Sequence, residues 1–312
     1  HDIGHGPFSH ALESALAEGV HHEQISLRFM QQLNDEYEGQ LSLAIEIFTK
    51  KHPKIFLCEL VSGQIDIDRM DYLKRDSFYA GIPEGNINSD RIISMFNVKN
   101  NELVIEEKGL YSVEKFLMAR RFMYWQAYLH KTGVAAELML INILKRAKYL
   151  ARLGQTPPCS ESLQFFLNHS AFDLDNPMVL NHFAQLDDVD ILSALKIWKN
   201  HTDPVLGKLS DDLLKRKLFK MKLSDQPVTA LEKKKVQEKI MSQLPINGSD
   251  IDYFAETGNL SNLAYSLSEN SIKLIDKKQK VKLLSHSTDA SVVSYLTAPI
   301  DKYYLCYLKV KG

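Results

Sequence analysis

The stretch "VEKFLMARRFMYWQAYLHKTGVAAELMLINILKRAKYL", residues 113–150, constrains the fold most. Its apolar residues recur at helical spacing along its whole length, which predicts one or two core helices around which the rest must pack. The flanking segments are helical as well. "PFSHALESALAEG" starts with Pro7 at the first helical position and ends at Gly19. "HEQISLRFMQQLN" sets Ile25, Leu27, Phe29, Met30 and Leu33 at mixed helical spacing, and "LSLAIEIFTKK" is a short helix stopped before Pro53. "CELVSGQIDIDRMDYLKRDSFYAG" reads as two helices, broken at Ser62–Gly63 and ended at Gly81. "NELVIEEKGLYS" alternates and predicts a hairpin turning around Lys108–Gly109.

Past the Pro-rich break "GQTPPCSES", short helices continue to about residue 217, where the texture changes. "KLFKMKL" predicts a strand, "ALEKKKVQEKIMSQL" an amphipathic helix, "SIKLIDKKQKVKLLS" a hairpin and "DKYYLCYLKVKG" a further strand. The fold class expected is mainly α with a small α+β C-terminal region. The domains expected are a core over 1–150, a helical extension over 151–217 and an α+β region over 218–312.

The 312 residues, 45% hydrophobic and 25% charged, allow two domains or one large domain with an appendage. A formal net charge of −1 gives no global attraction to nucleic acid or membrane. The charge is uneven: residues 205–312 carry 18 Lys and Arg against 12 Asp and Glu. Such a basic part is usually a solvated surface and less often an anion-binding or oligomer contact. Cys58, Cys159 and Cys306 fit no metal or redox spacing and suit a reducing cytoplasm. No signal peptide and no apolar run of about 20 residues is present. The chain begins on His1 inside a motif, and sequence upstream of it is expected.

That motif is "HDIGHGPFSH". If residues 1–5 end a helix, His1 and His5 lie one turn apart with Asp2 beside them. Gly6 ends that helix, Pro7 starts the next, and His10 and Glu13 share its face. Imidazole and carboxylate together suit transition metals and Mn-like ions. Any one of these histidines alone is more often a surface or hydrogen-bonded core residue; the density of the run and its Gly-Pro corner favour a site. In "HHEQ", His22 can exchange a proton if a carboxylate orients it, and Glu13 is near enough in sequence to do so. In "GQIDIDRMDYLKRD", Asp66, Asp68, Asp71 and Asp76 crowd a helix with Arg69 and Arg75. Asp68, Tyr72 and Asp76 recur on one face, and ion pairs such as Asp71–Arg75 account for part of the pattern. In "ARRFMYWQAYLHK", Arg120, Tyr124, Tyr128 and Lys131 step along one helix; core packing explains Phe122, Met123 and Trp125 better than it explains the arginine and tyrosines.

Taken in order, "HDIGHGPFSH", "HEQ", "IDIDRMDYLKRD" and "AYLHK" resemble the HD-domain phosphohydrolases, and within them the deoxynucleoside triphosphate triphosphohydrolases, over roughly half the chain. The resemblance implies an HD-domain helical core and a divalent metal ion; the motifs do not distinguish Mn, Mg, Fe, Ni or Zn. It implies metal ligands at His1, Asp2 and Asp68, with a further histidine from an upstream helix. His22 matches the catalytic histidine and Glu13 the carboxylate that orients it. His5 and His10 match residues lining the phosphate and sugar end of the pocket. Arg69 stands where the family has a phosphate-binding lysine. Tyr72 and Asp76 match residues that hold the sugar 3′-hydroxyl, Tyr128 the tyrosine packed against the sugar, and Arg120 a polyphosphate-binding arginine. Lys131 is available to balance triphosphate charge. The implied activity is cleavage of a dNTP, dGTP-like, to deoxynucleoside and triphosphate. The alternatives are hydrolysis of another nucleotide or phosphate ester, or a nucleotide- or nucleic-acid-binding regulator with an inactive site. The partners implied are a nucleotide substrate, further copies of the chain from dimer upward and a dNTP effector, with no membrane; nucleic acid is left open.

Overall fold

The computed structural model describes residues 1–17, 19–169, 172–267, 271–287 and 293–310, with His10 and Ser294 described by backbone alone. In chain order the helices are α1 His10–Ala15, α2 His22–Glu36, α3 Ser42–Phe48, α4 Ile55–Ser62, α5 Ile67–Ala80, α6 Ser89–Ile93, α7 Leu110–Met123, α8 Lys131–Arg152, α9 Glu161–Asn168, α10 Pro177–Gln185, α11 Asp188–Trp198, α12 Pro204–Leu214, α13 Ala230–Met241 and α14 Val293–Leu296. The strands are β1 Phe96–Lys99, β2 Glu102–Glu106, β3 Lys220–Ser224, β4 Ala255–Asn262, β5 Lys273–Ile275, β6 Val281–Leu283 and β7 Ile300–Tyr307. The fold is mainly α with small sheets, as expected. Among the described residues, no helix is long and apolar enough to cross a membrane.

Two compact units emerge, each assembled from separated segments. The first comprises His1–Gly39, Lys131–Asn259 and Tyr303–Gly312; the second comprises Gln40–His130 and Leu260–Lys302. This grouping cuts across the contiguous 1–150, 151–217 and 218–312 division, because packing is decided by which apolar faces meet and α8 runs through residue 150.

In the first unit α8 is the spine. It buries Val134, Met139, Ile143, Leu144 and Ala147, and α1, α9 and α12 pack against it. Arg146 on α8 is buried in a closed ion cluster. Its Nε and Nη2 donate to Asp203, the latter at 2.6 Å, and Nη1 donates to Asp250 at 2.9 Å. The rings of Tyr149 and Tyr253 lie 5.0 and 5.4 Å from the guanidinium carbon. Asp203 also caps α12 by accepting from the Leu206 amide at 2.8 Å. Burial alone would raise its carboxyl, but the hydrogen bonds from Arg146 and Leu206 outweigh this and hold it below the ordinary value. A three-stranded sheet of order β3-β7-β4 completes the unit, with β3 and β7 antiparallel and Met221 opposite Cys306.

In the second unit α7 is central. Val113, Phe116, Leu117 and Met123 are buried together with Met70 and Leu73 of α5 and with Leu274 of a four-stranded sheet. That sheet runs β1-β2-β5-β6, with β2 and β5 parallel. The loop after β4 grips the helical part: Gln64 and the Ser266 backbone exchange two hydrogen bonds of 2.7 and 2.8 Å, and Arg120 Nη1 donates to the Ala264 carbonyl at 3.0 Å.

Three local expectations are corrected. Residues 1–9 are turns rather than a helix end and a helix start, and α1 begins at His10 rather than Pro7. Phe8 and Ser9 take φ of 54° and 49°, which no right-handed helix can include. The hairpin turns at Asn100–Asn101, not Lys108–Gly109, because a tight turn needs two positive φ values and asparagine tolerates them; here they are 52° and 67°. Arg120, Tyr124, Tyr128 and Lys131 do not step along one helix: the long apolar stretch is two helices, within the one or two expected, with Arg120 on α7, Lys131 on α8 and the tyrosines on a π-helical turn over Tyr124–Tyr128 between them.

Candidate active site

The first-unit residues are brought together by a loop lying on the start of α2. Gly4 N donates to Ser26 Oγ at 2.9 Å, and His5 N donates to the Asp2 carbonyl at 3.1 Å. A Cβ on Gly4 would lie 2.2 Å from the His22 carbonyl oxygen and 2.3 Å from the Ser26 nitrogen, so only glycine permits this approach. The loop then turns into α1, whose Leu12 and Ala15 are buried, as is Leu16 just after it, and Lys148 of α8 donates to the Leu16 carbonyl at 3.2 Å. This fixes Glu13 opposite the first residue of α2.

Glu13 Oε1 and His22 Nδ1 are 2.9 Å apart, and both side chains are largely shielded. A carboxylate on Nδ1 sets the tautomer and directs proton exchange to Nε2. The His5 ring stacks on His22 with centroids 3.9 Å apart and planes 18° from parallel. His5 is itself held by Ser9, with Oγ 2.9 Å from Nδ1. Ligand atoms of His5, Glu13 and His22 all lie within 4.8 Å of one another. Nearby, His1 Nε2 and Asp2 Oδ1 are 3.4 Å apart and exposed. Adjacent ligands of an ion with bonds near 2.1 Å are separated by roughly 3.0–3.4 Å in octahedral or tetrahedral geometry. The imidazole–carboxylate pair therefore fits a divalent ion in both donor type and spacing. The side chain of His10, the remaining expectation in this segment, lies outside the described residues.

The second-unit residues lie on α5 and on the α7–π-helical segment. Asp68, Tyr72 and Asp76 share one half-buried face of α5, while Met70, Leu73 and Ser77 face the core. Tyr128 donates its hydroxyl to Asp76 Oδ2 at 2.7 Å, supplying the partner a sheltered tyrosine needs. The Tyr128 ring meets Tyr72 and Tyr124 edge-on, at 6.1 and 5.2 Å. Burial raises the hydroxyl pKa of Tyr72 and, with the Asp76 hydrogen bond, that of Tyr128, so both stay protonated donors at neutral pH. Arg120 lies over the Tyr124 ring at 5.7 Å, and its Nε is buried without a hydrogen-bond partner among the described residues. Asp66, 2% exposed, caps α5; burial pushes its carboxyl up to about 6 against the opposing pull of the Arg69 amide and guanidinium. Asp71 and Arg75 pair on the exposed side, the structural explanation their spacing offers.

Lys131 opens α8 in the first unit and lines a cavity of about 970 Å³ with Arg216, Lys220, Lys222, Lys235, Lys239 and other residues. Part of the excess positive charge of the C-terminal region is therefore gathered at one concavity rather than spread over a surface.

Residues missed as site-builders are Gly4, Ser9 and Ser26, which position the corner, and Ala264 and Ser266, which hold Arg120 and Gln64. Ser9 acts on His5 four residues before it, within the motif; the others act through contacts whose partners lie far away in the chain, so no local pattern marks them.

The family model for the HD associated region matches residues 87–152. A crystal structure of a phosphohydrolase from Bacteroides thetaiotaomicron superposes with a TM-score of 0.94 at 49% identity, covering 99% of this chain and 77% of that one. The chain belongs to the HD-domain phosphohydrolases. Among curated relatives of this family member, YwfO of Bacillus subtilis is 31% identical over 70% of this chain and 50% of its own length. The deoxynucleoside triphosphate triphosphohydrolase SAMHD1 homolog of Dictyostelium discoideum is 26% identical over 69% of this chain and 43% of its own. The chain thus spans about half the length of the curated relatives it matches. The fold extends to a hypothetical protein of Aquifex aeolicus, TM-score 0.69 at 23% identity.

Proposed function

We propose that this HD-domain phosphohydrolase cleaves dNTPs to deoxynucleoside and triphosphate, with His1, Asp2 and Asp68 as metal ligands. The observation that carries the reading is the Glu13–His22 pair at 2.9 Å beneath the stacked His5 ring. A divalent ion at the His1–Asp2 pair would supply positive charge to polarise a phosphate and lower the pKa of an attacking water. His22, oriented through Nδ1 by Glu13, delivers a proton from Nε2 to the departing sugar oxygen. His5 and His10 line the phosphate and sugar end. Arg69, Arg120 and Lys131 balance the triphosphate charge. Tyr72 and Asp76 hold the sugar 3′-hydroxyl, and Tyr128, tied to Asp76 by its hydroxyl, packs against the sugar, where its bulk disfavours a 2′-hydroxyl.

Two further parts of the reading extend the resemblance to the dNTP triphosphohydrolases. The chain assembles as a homo-oligomer, and a dNTP acts as effector. The three free cysteines suit a cytoplasmic setting. The test is a panel of the four dNTPs with Mn²⁺ or Mg²⁺, with and without a second nucleotide, read as release of inorganic triphosphate. Turnover of nucleoside monophosphates or cyclic nucleotides alone would replace this reading by hydrolysis of another phosphate ester. Binding of nucleotides without turnover would leave a regulator.

A further inference from the structure

Asp66 does more than a helix cap requires. Capping needs one side-chain oxygen, and Asp66 Oδ1 supplies it by accepting from the Arg69 amide at 2.7 Å. Cap carboxylates usually sit in water, whereas this one is 2% exposed, a costly place for a charge unless its second oxygen is used as well. Oδ2 lies 3.2 Å from Arg69 Nε. Both oxygens of one buried carboxylate therefore hold one residue, by its backbone and by its guanidinium. An arginine side chain otherwise samples many rotamers. Held at Nε, it keeps the edge formed by its two terminal nitrogens, which carries no hydrogen bond to another described residue. That edge matches two oxygens of a phosphate.

We infer that Asp66 is a positioning residue that presents the terminal edge of the Arg69 guanidinium to the polyphosphate of the substrate. This deepens the proposed function and rests on its assignment of Arg69 to phosphate. It also gives a physical sense to arginine at this position, since a guanidinium can be anchored by one nitrogen and bind with the other two.

The test uses the full chain, with inorganic tripolyphosphate as the probe in calorimetry and dNTP hydrolysis read in parallel. Asp66→Asn keeps the cap oxygen but turns an amide donor toward Nε. Asp66→Ser keeps a good cap but is too short to reach the guanidinium. Both variants are expected to weaken tripolyphosphate binding about 5- to 10-fold and to raise KM in step, with kcat changed less than about 2-fold and unfolding temperature not lowered. In an Arg69→Lys background, where the anchored fork is gone, Asp66→Asn should change binding less than about 2-fold. Unaltered tripolyphosphate affinity in both single variants, an undiminished effect in the Arg69→Lys background, or no tripolyphosphate binding by the parent chain would each overturn the inference. So would equal losses in kcat and stability, which mark a cap alone. If the parent chain binds tripolyphosphate with the expected coupling yet hydrolyses no dNTP, the positioning role stands and the proposed activity fails.

Discussion

In the first unit, Glu13 meets His22 because Gly4 lets a loop rest on the start of α2 and because Phe8 and Ser9 take left-handed backbone angles. In the second unit, Asp68, Tyr72 and Asp76 share a face because an α-helix brings every fourth residue round. One set of side chains is held by backbone contacts between segments that are irregular or short. The other is a by-product of regular structure capped at Asp66 and stopped at Gly81 with φ of 66°. A site built the first way should fail abruptly on small steric changes, and one built the second way should degrade in steps.

The largest effect should come from the irregular corner. His22→Ala is expected to lower kcat about 10²- to 10⁴-fold with little change in unfolding temperature, measured as triphosphate release by the full chain. A loss under about 10-fold would place the proton transfer elsewhere. Next is the ion cluster on α8. Arg146→Ala leaves Asp203 and Asp250 buried without their partner and should cost about 3–5 kcal/mol in urea unfolding at neutral pH. Because the Asp203 carboxyl is held below its ordinary 3.8, that contribution is present above 3.8 and lost as pH falls through the lower folded value. The gap between parent and variant should therefore narrow in acid, and a gap that widens there would contradict the assignment.

Gly4→Ala should destabilise by about 1–3 kcal/mol and reduce turnover, since backbone atoms rather than flexible side chains stand in the way. Gly133, near the start of α8 with nothing within 4 Å of a new Cβ, is the control: Gly133→Ala should gain about 0.5–1 kcal/mol. Equal and opposite behaviour at the two glycines would sharpen the contrast between corner and helix; similar behaviour would remove it. The smallest effect belongs to the regular face. Tyr128→Phe removes the donor to Asp76 and is expected to shift dNTP KM by roughly 2- to 10-fold, the worth of one hydrogen bond.

What was legible follows the same division. Helical periodicity placed α2, α4, α5 and the pair α7–α8, and the i, i+4 spacing put Asp68, Tyr72 and Asp76 together, because those relations are local. The need of a sheltered tyrosine for a partner anticipated the Tyr128 hydrogen bond without naming Asp76 as its acceptor. The corner was legible as a collection of residue types but not as a shape. A helix through residues 1–5 satisfied the same spacing, and the contact that forbids it, Gly4 on Ser26, spans residues no pattern connects. The Asn100–Asn101 turn was missed although its asparagines suit it, because the alternation beyond it drew the turn toward a glycine. The discontinuous units lay beyond any reading of local texture, since α8 looks the same whether its partners precede or follow it.

The order of strands in the first-unit sheet sets a timetable for synthesis. β7 is the middle strand of β3-β7-β4, so two strands made earlier have no neighbour to pair with until residues 303–307 emerge. Between the end of β3 at Ser224 and Tyr307, a ribosome takes about 5–15 s. For that interval the edges of β3 are open, and those of β4 are open from Asn262 onward; lysines at 220 and 222 on β3 put charge where an unpaired edge would otherwise invite another chain.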